Sequence, residues 1–303
     1  TLRFSIMISC SSTVKSSYFS SLIFLPSIMG IKKIPLSVIF VEKPNCLASS
    51  LSSSSLFSPL DRNSSLRQDS TFLNIRAKVD LSYTINPQNS ISVKFQSEKS
   101  NDLTNDISLN NVNEYKNLFY GISYTYKKVN PSKPYQNKFY FNINTLLGNR
   151  TLDLDSKKSK QQKYELTSSY IWTLNQKNSF FIKNNSALLT SDDLYTNEIY
   201  RIGGVNYIRG FNEESIFTSS YSVLNLEYRY QIANLSYLYS ITDFACINNE
   251  IQNKSDQIYS LGLGYTYSLK SGIVDISYAI GKTSELPFDF NKSKFHIKLV
   301  QFF

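Results

Sequence analysis

Apolar and polar side chains alternate along most of the chain from Thr71 onward. Through Leu73–Ile85 an apolar residue occupies every second position, and polar residues occupy the positions between. A period of two places successive side chains on opposite faces, so the pattern predicts β-strands with one apolar and one polar face. The same alternation returns in Ile91–Phe95, Tyr120–Tyr126, Phe139–Ile143, Tyr164–Leu174, Leu224–Ile232, Tyr259–Leu269 and Val274–Ile280.

The predicted strands are long, and their connections alternate in length. Many strands run to about ten residues or more, as a tilted membrane strand requires, whereas strands of soluble sheets are usually shorter. Short turns such as Asn86–Asn89 and Asn175–Asn178 are predicted to face the periplasm. Longer polar segments such as Asp153–Gln162, Ser191–Ser219 and Thr283–Ser293 are predicted to face outward. We therefore predict an all-β fold, an antiparallel transmembrane β-barrel, rather than a β-sandwich.

The last ten residues, Lys294–Phe303, form the clearest of these strands. The apolar residues on one of its faces are Phe295, Ile297, Leu299 and Phe303. Lys294, His296 and Lys298 fall on the opposite face. An apolar face of this length needs non-aqueous surroundings, which are lipid in an outer-membrane barrel. The alternative for this strand alone is the edge of a soluble sheet.

The first part of the chain lacks this pattern. It is rich in serine, with an unbroken run at Ser52–Ser55, and prolines interrupt its apolar patches. Neither a period of 2 nor one of 3.6 is clear. We predict an irregular or disordered segment at residues 1–70 and a barrel domain at residues 71–303. About eleven strands follow Thr71. Because single-chain bacterial barrels have an even number of strands, the set is expected to be incomplete on its amino-terminal side.

Composition and charge exclude several classes of protein. The net charge is +9, but lysines and arginines are scattered rather than clustered, so no nucleic-acid partner is expected. Cys10, Cys46 and Cys246 lack metal-ligand spacing, and His296 is the single histidine. No Gly-x-Ser-x-Gly nucleophile motif occurs. We expect no enzyme activity, no catalytic residues, no metal and no cofactor. The charged stretch at Lys157–Lys163 is predicted to be a solvated outer loop.

The longest predicted loop carries a glycine-rich motif around an arginine. In Arg201–Phe211, three glycines permit turns with positive φ. Ile208 and Phe211 flank Arg209 and Gly210, which favours packing of the loop tip inside the barrel. A guanidinium in such an interior needs a carboxylate partner, for which its planar fork is suited.

The sequence Ile208-Arg209-Gly210-Phe211 resembles the [Val/Ile]-Arg-Gly-[Phe/Tyr] motif of one barrel superfamily. This superfamily contains BamA-like and TamA-like outer-membrane assembly factors and two-partner-secretion transporters, and the motif lies in their inward-folded sixth loop. The resemblance covers about residues 71–303.

Two acidic residues extend the resemblance. Glu227 precedes an aromatic residue on the strand after the loop, and Asp243 lies on the next strand. Ile241 and Ala245 stand where the family usually has an aromatic residue and a glycine. The stretch Leu235–Ile247 is almost wholly apolar on both faces, so the pattern leaves the direction of Asp243 open.

The resemblance implies a fold and a function. About eleven of the family's sixteen strands would be present, and no pattern of the preceding periplasmic POTRA domains is found. Arg209 would anchor the loop through Asp243, with Glu227 as a second carboxylate. The residues Phe295, Ile297, Leu299 and Phe303 would form the carboxy-terminal sorting signal.

The implied function is insertion of β-barrel proteins into the bacterial cell outer membrane. The implied partners are outer-membrane lipid, unfolded β-barrel client proteins and periplasmic accessory proteins. A two-partner-secretion transporter, a passive porin-like barrel and a barrel fused to an upstream hydrolase domain remain as alternatives.

Overall fold

The structure is a computed structural model. It describes residues 2–11, 21–22, 36–39, 72–102, 113–130, 133–152, 158–234, 236–269 and 272–301, with the strands before residue 72 described by their backbone pairing alone. The strands are β1 (Leu2–Ser11), β2 (Ser21–Leu22), β3 (Leu36–Ile39), β4 (Phe72–Thr84), β5 (Asn89–Asp102), β6 (Tyr115–Asn130), β7 (Lys133–Leu152), β8 (Lys158–Thr173), β9 (Asn178–Ser191), β10 (Tyr200–Ile202), β11 (Ile216–Thr218), β12 (Ser220–Ala233), β13 (Ser236–Asn249), β14 (Lys254–Leu269), β15 (Gly272–Lys282) and β16 (Lys294–Gln301). One 3₁₀ helix, Phe290–Lys292, precedes β16.

Eleven strands form the antiparallel sheet predicted from the alternation, which confirms the predicted fold class. They are β4–β9 and β12–β16, and β9 pairs directly with β12 because β10 and β11 form a separate hairpin. Within the described residues, no ladder joins β16 to the strands at the other end of the sheet. No helix among the described residues is long and apolar enough to cross a membrane.

The amino-terminal segment contributes three strands to the edge of the sheet. β1 lies antiparallel to β4, β3 runs parallel to β1, and β2 pairs with β3. The prediction of an irregular segment at residues 1–70 otherwise falls on residues outside the described ranges.

The sheet is apolar outside and polar inside. On β14, Leu263 is 70% exposed while Ser260 is fully buried, and the alternation continues along the strand. On β16, Phe295, Ile297 and Leu299 point outward. A barrel that faces lipid and encloses a polar interior has this arrangement. Phe303, the last residue of the predicted sorting signal, lies outside the described residues.

The short turns are stabilised by asparagine side chains. The Asn86 Oδ1 accepts hydrogen bonds from the backbone N–H groups of Gln88 and Asn89, at 3.0 and 2.9 Å. Asn175 makes the same two contacts in the turn before β9. Asparagine favours such turns because its side chain mimics a backbone acceptor. These turns lie at one end of the sheet, and the longer connections lie at the other.

The charged stretch predicted as a solvated loop is instead part of a strand. β8 begins at Lys158, and Lys163 is only 5% exposed. Its Nζ donates to both carboxylate oxygens of Glu98, at 3.0 and 2.9 Å. The prediction was wrong because the interior of the barrel accommodates a charge that has an opposite charge beside it.

Candidate functional site

The loop between β9 and β12 folds into the interior of the barrel. Strands β10 and β11 pair across it, and the tip between them comprises residues 203–215. Ile202 and Ile208 are fully buried and pack against Val223, Ala245 and Ile258 of the wall. The burial of this apolar cluster holds the tip against β12, β13 and β14.

Arg209 is bound by the two carboxylates that the resemblance implied. Its Nε and Nη2 donate to the two oxygens of Asp243, at 2.8 and 2.5 Å, in a bidentate pair. Its backbone N–H donates to Asp243 Oδ2 at 3.0 Å. Its Nη1 donates to Glu227 Oε1 at 2.6 Å. Asp243 therefore points into the barrel, which the sequence pattern had left open.

A second arginine binds the other carboxylate oxygen of Glu227. The Arg229 Nε donates to Glu227 Oε2 at 2.9 Å, and its guanidinium lies 3.9 Å from the centre of the Phe181 ring. Two arginines thus face two carboxylates, all with nearly buried side chains. Burial lowers the pKa of Arg209, but Asp243 and Glu227 raise it by more, so this pKa lies above its ordinary value. Arg209 therefore stays charged.

Two glycines allow the loop to approach the wall closely. Gly210 has a φ of 82°, and a Cβ there would lie 2.8 Å from the backbone nitrogen of Gly281 on β15. At Gly281, a Cβ would lie 2.3 Å from the Phe211 ring. Each glycine is required because the space of its missing side chain is occupied by another part of the molecule.

His296 makes a contact that sequence reasoning missed, since the pattern placed it only on the polar face of the last strand. The Gly210 N–H donates to His296 Nε2 at 3.1 Å. On the same strand, Lys298 Nζ donates to Asn206 Oδ1 at 2.9 Å. The last described strand is thereby tied to the loop at two points. The only signal in the sequence was their position on the polar face of β16.

Tyr239 lies beside the guanidinium of Arg209. Its ring fills the space left by Gly264, where a Cβ would lie 2.1 Å from a ring atom. Its hydroxyl donates to Asp275 Oδ1 at 2.8 Å, and the Arg209 guanidinium lies 5.8 Å from the ring centre. A cavity of about 260 Å³ adjoins these residues and is also lined by Lys183.

The arrangement is suited to fixing the loop. Both oxygens of Glu227 and both oxygens of Asp243 accept hydrogen bonds from guanidinium groups. Among the described residues, no group of three or more histidine, cysteine or acidic side chains could hold a metal ion.

The fold and the inward loop define the class of the chain, an antiparallel transmembrane β-barrel fold with a loop inside it. Among solved structures, it is similar to CdiB from Acinetobacter baumannii, with a TM-score of 0.53 and 16% sequence identity. The match covers 76% of this chain and 42% of the CdiB chain, so this chain spans less than half the length of that structure. At this identity the likeness shows the fold alone. No protein-family model and no curated protein matches the sequence.

Proposed function

We propose that this chain is the barrel of a bacterial outer-membrane protein that assists the insertion of β-barrel proteins. The observation that carries the proposal is the pairing of the Arg209 guanidinium with the carboxylates of Asp243 and Glu227 inside the barrel. Burying four charged groups is costly unless each is paired. A loop held across the interior narrows the path through the barrel, which suits a protein whose client engages the barrel wall.

The proposed mechanism uses the backbone of β16. Within the described residues, this strand pairs with β15 on one side and with no strand on the other. A client strand that pairs with such an edge satisfies its backbone N–H and C=O groups as it enters lipid. The role requires no side-chain catalysis and no cofactor. The proposed partners are outer-membrane lipid, unfolded barrel proteins and periplasmic accessory proteins.

A second candidate function is secretion of a partner polypeptide. The barrel fold that the chain shares with CdiB is compatible with this function as well. The barrel and the loop serve both candidates. They differ in the path of the client, which crosses the interior in secretion and enters the wall in insertion.

The test reconstitutes the protein in lipid vesicles with an unfolded barrel protein as client. Folding is followed by the heat-dependent shift in gel mobility that folded barrels show. We expect the wild type to accelerate folding and Arg209→Ala to return it towards the rate in protein-free vesicles. Arg201→Ala is the matched control, since Arg201 lies in the same loop but pairs with Glu214 at 3.9 Å.

Three outcomes would count against insertion. Client folding at the protein-free rate with the wild type excludes an insertase. Passage of an unfolded polypeptide into the vesicle, without its incorporation into the membrane, assigns the protein to secretion. Ion conductance that is the same in wild type and Arg209→Ala would favour a passive barrel.

A further inference from the structure

The base of the inward loop, residues 193–198, contacts strands that the tip does not contact. Asn197 is 1% exposed, and its Nδ2 donates to Ser100 Oγ on β5 and to the Asn113 carbonyl, both at 2.7 Å. Its backbone carbonyl accepts from Asn74 Nδ2 on β4 at 2.8 Å and from Tyr115 Oη on β6 at 3.3 Å. One loop residue thus touches three neighbouring strands.

The next residue adds a buried ion pair. The Glu198 Oε2 accepts from Arg150 Nη1 at 2.7 Å, and the Arg150 side chain is fully buried. Arg150 belongs to β7. It also donates to the Asp193 carbonyl at 3.0 Å and to Ser159 Oγ on β8 at 2.9 Å. Its guanidinium lies 4.8 Å from the centre of the Tyr195 ring. Residues 193–198 are therefore held by β4–β8.

The two contact regions lie on different halves of the sheet. The tip is bound to β12, β13 and β16 through Glu227, Asp243 and His296, and the base is bound to β4–β8. The halves are continuous along the sheet where β9 pairs with β12, and the loop adds a second connection between them across the interior.

We propose that Asn197 and Glu198 form a second anchor of the loop, which positions Arg209 on Asp243. A loop fixed only at its tip must lose the conformational entropy of its base each time the tip binds. A base already held by buried hydrogen bonds removes that cost and sets the direction from which the tip approaches. The anchor is a positioning site, and it does not depend on which function the barrel performs.

Buried polar groups make this anchor sensitive to small changes. Both Asn197 Nδ2 contacts are short, and a buried amide is costly when its partners are removed. Glu198→Gln preserves the shape of the side chain but leaves the buried Arg150 guanidinium without its opposite charge. Asn197→Ala removes the side-chain contacts to Ser100 and Asn113.

The experiment measures backbone amide exchange of the whole chain in lipid. The Arg209 and Gly210 amides report on the tip directly, since they donate to Asp243 and His296. In Asn197→Ala and in Glu198→Gln we expect exchange at residues 205–211 to rise by about ten-fold or more. Exchange in β13 and β14 should stay unchanged. Asn212→Ala, at an exposed position of the same loop, is the matched control.

Two results would overturn the proposal. Tip exchange equal to wild type in folded Asn197→Ala and Glu198→Gln proteins means that the base does not position the tip. Exchange that rises equally in all strands, or a loss of the heat-dependent mobility shift in both variants, means that these residues stabilise the sheet as a whole. Client folding rates in the same proteins are a separate measurement, so failure of the proposed function is distinguishable from failure of the anchor.

Discussion

The tip and the base of the inward loop each bury an arginine–carboxylate pair, but the loop contributes opposite members of the two pairs. At the tip, the loop supplies Arg209 and the wall supplies Asp243, whereas at the base the wall supplies Arg150 and the loop supplies Glu198. The tip pair is bidentate and has a second carboxylate. At the base, Arg150 Nη2 and Glu198 Oε1 have no hydrogen-bond partner among the described residues.

These unequal contacts indicate which pair stabilises the loop more strongly. A guanidinium that fits a carboxylate with two parallel hydrogen bonds gains more than one held by a single bond. Buried polar atoms without partners lower the net contribution of a pair. The pair at the tip should therefore stabilise the loop more than the pair at the base. The pair at the base positions the tip.

The largest effect is expected from Asp243→Ala. The change leaves a buried guanidinium with Glu227, which Arg229 already shares. Removing one partner of a buried ion pair costs about 3–5 kcal/mol. For Glu198→Ala we expect about 1–3 kcal/mol, because Arg150 keeps its contacts to Ser159 and Asp193. The measurement is urea-induced unfolding in lipid vesicles.

A charge swap provides the control for the tip. Arg209→Ala should destabilise the protein on its own, and exchanging the two charges, Arg209→Asp with Asp243→Arg, should restore part of the loss. Coupling between adjacent residues appears as non-additivity in a double-mutant cycle. Additive losses, or equal costs at Asp243 and Glu198, would contradict the ranking of tip over base.

The sequence predicted the sheet and the tip because both leave local signals. The lipid requires an apolar face on every strand, so the alternation of residues appears over most of the chain. The tip requires Gly210 beside Arg209, so its motif is recognisable within four residues. The fold could be predicted for these reasons, and so could the residues of the tip.

The direction of Asp243 could not be predicted, for a physical reason. On β13, inward positions such as Tyr239, Ile241 and Ala245 are apolar because they contact the buried loop or neighbouring strands. The inward face of this strand mixes these residues with the charged Asp243, so the alternation that distinguishes inside from outside is lost. The direction depends on the loop, which is distant in sequence.

The base of the loop left no signal at all. Asn197, Glu198 and Arg150 are ordinary polar residues, and their partners come from five strands. Only the pairing order of the sheet brings them together. The same holds for Lys163 and Glu98, which are 65 residues apart in the sequence.

An intermediate effect is expected from Gly210→Ala. Its φ of 82° strains a side chain, and the new Cβ would lie 2.8 Å from the backbone of both Gly281 and Ile280. Rigid backbone cannot move away, so we expect about 1–3 kcal/mol from strain and overpacking. Gly204→Ala is the matched control, since its φ of 78° is similar but its Cβ meets the flexible side chain of Glu213. Equal losses of unfolding free energy would show that the approach to β15 adds nothing.

The smallest effect is expected from Lys254→Ala, which removes an ion pair outside the loop. Lys254 Nζ lies 2.6 Å from Glu285 Oε1, a distance as short as the contact between Arg209 and Glu227. Both side chains are exposed, at 47% and 68%, so water screens the attraction and replaces the lost hydrogen bond. We expect no measurable change in unfolding midpoint or in client folding. A loss comparable to that of Asp243→Ala would mean that distance, rather than burial and paired geometry, determines the strength of these contacts, and the ranking of tip over base would lose its basis.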